Sequence, residues 1–189
     1  MKNIKESIIP TVTLFAICLV AAALLGLTNN VTAPKIEALA VEAEQNAKRE
    51  VLPDAVTFSD NKTDEGTGFA YSEAFDEANN VIGYTVTASG KGGYGGEIVL
   101  MVGINADGSV AAISFLEEAE TPSIGGKLKK NLDFLGQFLG KSGSVALTKN
   151  GGEIAAVSGA TKTSAGVTDA VNNALRCYES VKGEVSVNG

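Results

Sequence analysis

The stretch EIVLMVGINADGSVAAISFL, residues 97–116, decides the fold. Residues 97–104 and 110–116 carry apolar, β-branched side chains in a period-two pattern, which reads as two strands. Between them, Asn105-Ala106-Asp107-Gly108 has hairpin chemistry: Asn and Asp bond their own backbone and Gly tolerates positive φ. Two strands joined this tightly must run antiparallel, and they need neighbours to form a stable sheet. Residues 81–88 supply another strand pattern and residues 67–75 a less regular one, within an acidic, turn-rich segment spanning 54–80. Downstream, residues 128–139 show a mixed helical pattern, while 144–148 and 154–157 read as short strands. Residues 164–181 form a helix with Val167, Val171, Ala174, Leu175 and Tyr178 on one face. The predicted architecture is α+β, an antiparallel sheet with helices on one side or at its ends.

Residues 8–27 contain no charged side chain, and about 20 such residues match the hydrocarbon thickness of a bilayer. The block reads as a transmembrane helix; a cleaved signal peptide is the alternative, with Val31-Thr32-Ala33 as its small-residue site. Lys2 and Lys5 precede the block and no Lys or Arg follows before Lys35. The positive-inside rule therefore puts residues 1–7 in the cytoplasm and the main domain outside a cell (inner) membrane. A polar turn is expected at 28–32. Pro34 then suits a first helical residue, and Ile36, Leu39, Ala40, Ala43, Ala47 and Val51 continue at helical spacing to Pro53. The expected organisation is 1–7 cytoplasmic, 8–27 transmembrane, 28–53 juxtamembrane helix and 54–189 extracytoplasmic domain.

Composition excludes several chemistries. The chain has no His and no Trp, two Cys, 22 Gly and a net charge of −7. Without His there is no Ser-His-Asp or Cys-His pair and no His-ligated zinc or haem. Two cysteines, Cys18 in the apolar block and Cys177 near the far end, cannot ligate an iron–sulfur cluster alone. An acidic chain lacks the basic footprint of a nucleic-acid binder. Redox work by this chain would need an organic cofactor or one held by a partner.

Three glycine-containing stretches are candidate sites. Residues 90–96, GKGGYGG, are either a flexible connection or a place where Tyr94 stacks on a planar ligand. Residues 117–127, EEAETPSIGGK, are either a solvated acidic loop or a carboxylate cluster able to hold a metal, and Thr121 adds a hydroxyl donor. Residues 158–164, SGATKTS, stand between a strand pattern and the last helix. A helix N-terminus there would receive a phosphate, or merely be capped by a Ser or Thr.

Taken in order, these stretches resemble the extracytoplasmic FMN-binding subunits of membrane ion-translocating redox complexes. The landmarks are a single N-terminal anchor, Gly93 to Gly96, Val102 to Gly108, Glu120 to Gly125, Gln137 to Lys141 and Ser158 to Thr161, and the resemblance covers nearly the whole chain. The short outer domain looks more like the G subunit of the Rnf (Rsx) complex than the C subunit of the sodium-pumping quinone reductase. The resemblance implies FMN joined through its phosphate to Thr161 by a flavin transferase, with Thr163 the neighbouring alternative. Ser158, Gly159 and Ala160 would shape the attachment turn, and Tyr94, Glu120, Thr121 and Lys127 are further candidate flavin contacts. It implies no catalytic side chain and no metal, and partners among other membrane, flavin and iron–sulfur subunits of a ferredoxin:NAD⁺ oxidoreductase-type complex. A free-standing tethered FMN carrier, or a cofactor-free binding module, is the competing reading. The chain departs from the family pattern at Ala155, where Asp is common, at Glu118, where His is common, and at Ser123 in the Pro-Gly-Leu-Gly loop.

Overall fold

A computed structural model describes residues 4–93, 95–117 and 125–183. The chain divides into two compact units, Met1–Ala43 and Glu44–Gly189.

The first unit belongs to helix α1 (Ile4–Val51). Leu14, Phe15, Ile17, Leu19, Leu24, Leu25 and Leu27 are all exposed on it. The helix is long and apolar enough to cross a membrane, and exposed apolar side chains all round a helix are what lipid covers. The turn expected at 28–32 is absent, because the helix runs through it. The hydroxyls explain how: Thr28 Oγ1 donates to the Leu24 carbonyl at 2.9 Å and Thr32 Oγ1 to the Thr28 carbonyl at 3.0 Å. These polar side chains thus satisfy themselves on helical backbone. Pro34 removes a single backbone donor inside the helix.

In the second unit, β1 (Thr57–Phe58), β2 (Lys62–Thr63), β3 (Ala70–Phe75), β4 (Val81–Gly90), β5 (Ile98–Asn105) and β6 (Val110–Glu117) form one antiparallel sheet. Its order is β1-β3-β4-β5-β6, with β2 also on β3. The hairpin at 97–116 is borne out: the Gly108 N–H donates to the Asn105 carbonyl at 2.9 Å, Gly108 has φ 87°, and Asp107 accepts the Ser109 N–H at 2.9 Å. The two-residue strands β1 and β2 carry too little apolar pattern to be read from sequence.

Helices cover both faces of the sheet, where the sequence predicted one side or the ends. On one face, helix α3 (Thr161–Val181) buries Val167, Val171, Ala174 and Leu175 in a common core with Val86, Leu100, Val102 and Ile104. On the other, Ala47, Val51 and Leu52 pack with Ala74 and Met101. The second contact is close, since a Cβ on Gly103 would lie 2.5 Å from the Val51 carbonyl oxygen. Beside it, the buried Lys48 ammonium donates to Asn61 Oδ1 at 2.6 Å and Ser72 Oγ at 2.8 Å, with Glu44 at 3.4 Å. A cation this buried persists because its donors are occupied.

The segment after the sheet is less regular than predicted. The pattern at 128–139 resolves into a 3-10 helix (Gly125–Lys130) and helix α2 (Leu132–Gly136). The expected strands at 144–148 and 154–157 reduce to one parallel bridge, Leu147 to Ile154. Between its partners, a 3-10 turn (Thr148–Asn150) and Gly151 at φ 82° loop the chain back beside itself in the same direction, and the pairing stops at this bridge. Helix α3 starts at Thr161, earlier than the predicted 164.

At the far end of α3, buried Asp64 accepts from the Thr67 hydroxyl at 2.5 Å, the Thr67 N–H at 2.8 Å and the Ser180 hydroxyl at 2.9 Å. The Thr67 hydroxyl bond, chiefly, holds its carboxyl below the usual range. Cys177, a small buried residue of α3, has its thiol pushed up by burial.

Gly103→Ala is expected to destabilise the domain by about 1–3 kcal/mol through overpacking against Val51, seen as a lower denaturant midpoint for the full chain in detergent. An unchanged midpoint would contradict the contact. For Asp64, a lowered folded-state pKa means the unfolded state takes up the proton first as pH falls. Its stabilisation is therefore complete above the ordinary carboxylate value of about 4 and is lost as pH drops through the folded value. Asp64→Asn should melt lower than wild type at neutral pH, and the gap should close below pH about 4; a gap independent of pH would refute the assignment.

Candidate functional site

The turn before α3 is built by its own sequence. The Ala160 N–H donates to the Val157 carbonyl at 2.9 Å, and Gly159 between them has φ 77°, the positive value a type II turn needs at its third residue. Ala160, at φ −130° and ψ 30°, precedes the first helical residue with no side-chain cap, and no acidic residue occupies the first turn. The positive end of the helix dipole is therefore not neutralised by a carboxylate of that turn. Ser164 locks the turn from below. Its hydroxyl donates to the Ala160 carbonyl at 2.9 Å and accepts the Val157 N–H at 3.1 Å.

Exposure separates the two threonines. Thr161 is exposed at the helix start, as are Ser158 and Gly159 in the turn. Thr163 is 0% exposed and sits, like Ser164, inside the domain. The sequence could not distinguish them, because burial depends on which side of α3 meets the sheet.

The first glycine stretch comes to this helix. A Cβ on Gly90 would lie 2.0 Å from the Gly166 carbonyl oxygen and 2.5 Å from the Ala170 nitrogen, so β4 and α3 touch backbone to backbone. Gly92 lies against Lys162 and Gly166, and the Lys91 N–H donates to Asp169 Oδ2 at 2.9 Å. Asp169 escaped the sequence reading, since a lone acid on a helix gives no signal until its partner loop is placed. Tyr94, Glu120 and Thr121 lie outside the described residues, as do Glu118 and Ser123. Lys127 is exposed on the 3-10 helix, which buried Leu128 anchors in the core and which touches α3. Parts of all three stretches thus border α3.

The residues leading into the turn are held by side chains whose role the sequence did not disclose. Gln137 Oε1 accepts the Ala155 N–H at 2.6 Å while Gln137 Nε2 donates to the Ala155 carbonyl at 3.2 Å. Lys141 pairs with Glu153, whose carboxyl it holds below the usual range. A cleft of about 410 Å³ lined by Lys141, Ser144, Ala146, Gly152, Glu153 and Ile154 includes none of the sequence-predicted site residues. Among the described residues, no group of three or more His, Cys, Asp and Glu is placed to hold a metal.

An exposed hydroxyl at an uncapped helix start, backed by glycine, suits the phosphate end of a nucleotide-like ligand. The family described as FMN-binding domain matches residues 93–176, which include the hairpin, the turn and most of α3. The chain is thus a protein with an FMN-binding domain and an apolar N-terminal helix. It is 36% identical over 187 residues to the G subunit of the Na⁺-translocating ferredoxin:NAD⁺ oxidoreductase complex of Acetobacterium woodii, with 89% of each chain covered. It is also 36% identical over 182 residues to the G subunit of the ion-translocating oxidoreductase complex of Methanosarcina acetivorans, covering 93% of this chain and 96% of that one. Among solved structures, Shewanella oneidensis NqrC shares the fold, with a TM-score of 0.52 and 19% identity over 73% of this chain and 74% of that one. The chain belongs to the family of G subunits of Rnf ion-translocating oxidoreductase complexes.

Ser164→Ala removes the acceptor of the half-buried Val157 N–H. It should cost about 1–3 kcal/mol of stability and speed amide exchange at Val157 more than at residues of β5. Equal acceleration at both places would mean that Ser164 contributes only to the global fold.

Proposed function

We propose that this chain is the electron-carrying flavoprotein subunit of a membrane-bound ion-translocating ferredoxin:NAD⁺ oxidoreductase-type complex, with FMN bound as a phosphoester of Thr161. The observation that carries the attachment is the contrast between exposed Thr161 and fully buried Thr163 in the same helical turn. A transferase must reach its acceptor hydroxyl, and only the former is open to it.

In the attachment reaction, Thr161 Oγ1 attacks the phosphorus of an activated flavin nucleotide. The Oγ–P bond forms, the bond to the nucleotide's leaving group breaks, and the hydroxyl proton passes to a base on the flavin transferase. The resulting phosphodiester keeps one negative charge at the positive end of α3, with no first-turn carboxylate to repel it. Ser158, Gly159 and Ala160 set the turn, and Lys127 is a candidate contact for the flavin along with Tyr94, Glu120 and Thr121. When bound, the flavin supplies the electron storage and transfer; the chain anchors it and sets its surroundings.

The remaining parts agree with this reading. Lys2 and Lys5 orient the apolar helix with the domain outside the inner membrane. Both cysteines are free thiols, Cys18 on the apolar helix and Cys177 buried, so iron–sulfur relays belong to other subunits.

The wild-type chain produced with a flavin transferase should gain the mass of FMN less one water and fluoresce in a denaturing gel. Thr161→Ala should lose both and Thr163→Ser should keep them. An unmodified wild-type chain would overturn the reading, and modification surviving in Thr161→Ala would move the attachment elsewhere.

A further inference from the structure

We propose that Gln137 is a positioning residue for flavin attachment, holding the run before Ser158 in the conformation the transferase accepts. This rests on Thr161 being the acceptor.

Residues 153–157 are not in a strand; their regular pairing is limited to the bridge at Ile154. Yet alternate residues are each tied by a side chain from elsewhere. Lys141 takes the Glu153 carboxylate, Gln137 takes both backbone groups of Ala155, and Ser164 takes the Val157 N–H. At Ala155 one amide side chain does what a neighbouring strand would do, donating to the carbonyl and accepting from the N–H.

The support for Gln137 is firm. It follows helix α2, and Phe134 and fully buried Phe138 flank it with ring centroids 5.4 Å apart. Just beyond, the Gly140 N–H donates to the Val110 carbonyl and the Val110 N–H to the Lys141 carbonyl, both at 2.8 Å, which joins the segment to β6. Gln137 thus transmits the rigidity of core and sheet to Ala155, six residues before Thr161. Ser164 fixes the turn from the helix side and Gln137 from the approach side. Loosening the approach leaves Thr161 intact but reduces the fraction of chains that present it correctly. When only a fraction of an acceptor is competent, its apparent affinity falls by that fraction, while the chemical step in the bound complex is unaffected.

The test is initial-rate flavinylation of the full chain in detergent by a flavin transferase and its flavin nucleotide, read by intact mass against acceptor concentration. Gln137→Ala should raise the KM for the chain roughly tenfold, as for a competent fraction near one tenth, with kcat within about twofold of wild type. Amide exchange should quicken at Ala155 but not in β5. Should Gln137→Ala fail to fold, Gln137→Glu keeps the volume and the acceptor for the Ala155 N–H while losing the donor to the carbonyl, and should raise KM less. A wild-type KM in the folded variant, or an Ala155 amide exchanging at the wild-type rate, would overturn the role. A wild-type chain that is never modified defeats the attachment reading instead, which keeps the two failures apart.

Discussion

Strand β4 and helix α3 meet where neither has a side chain to spare: at Gly90 the helix backbone lies where a Cβ would be. Any larger residue would push α3 off the sheet by an ångström or more, and interiors packed at crystal-like density do not absorb such a shift locally. The contact fixes how deep α3 sits, so Val167, Val171 and Leu175 reach the strands and Thr163 is buried. It also brings the loop after β4 alongside the helix, where Lys91 meets Asp169 and Gly92 meets Lys162. The exposed position of Thr161 follows from the same depth, because in an α-helix residues two apart point to different sides.

Much of this was legible in the sequence where a periodic pattern met unambiguous turn chemistry. The hairpin at 97–116 and the apolar stripe of α3 needed only local rules. The errors arose where a local rule had a tertiary competitor. Thr28 to Thr32 looked like a turn, but hydroxyls bonded to their own helix removed the reason to break it. Residues 144–148 and 154–157 had strand-like composition, but with the turn at Thr148–Gly151 between them their pairing stops at a single bridge. Gln137 was visible as part of a motif, while its role was not, because an amide that pairs with a backbone unit 18 residues away leaves no periodic trace. Likewise, the resemblance alone ranks Thr161 over Thr163 in SGATKTS; no local rule does so until the buried side of α3 is known.

The electrostatics of the turn run against the chain as a whole. A net charge of −7 would repel a phosphate at long range, but within one helical turn the positive end of the helix dipole dominates and more distant charges are screened beyond about 10 Å. The first turn of α3 contains no acid, and the nearest carboxylates in sequence, Glu153 and Asp169, are both engaged, by Lys141 and by the Lys91 N–H. An anion at Thr161 would thereby be tolerated in an acidic protein.

That same openness bears on why a covalent bond would be useful here. Noncovalent cofactor sites usually enclose most of their ligand in a concave pocket, whereas Ser158, Gly159 and Thr161 are exposed and the 410 Å³ cleft includes none of them. A surface turn offers a phosphate a dipole and a few donors, contributions of about 1 kcal/mol each. Retaining a free nucleotide at micromolar concentration takes about 8 kcal/mol. A bond from Thr161 to the phosphate would replace that requirement, so the turn would need only to orient the group. A flavin so attached would remain accessible to an electron partner, which deep enclosure would oppose. Under the proposed attachment the exposure of Thr161 would serve twice, admitting the transferase during maturation and the redox partner afterwards.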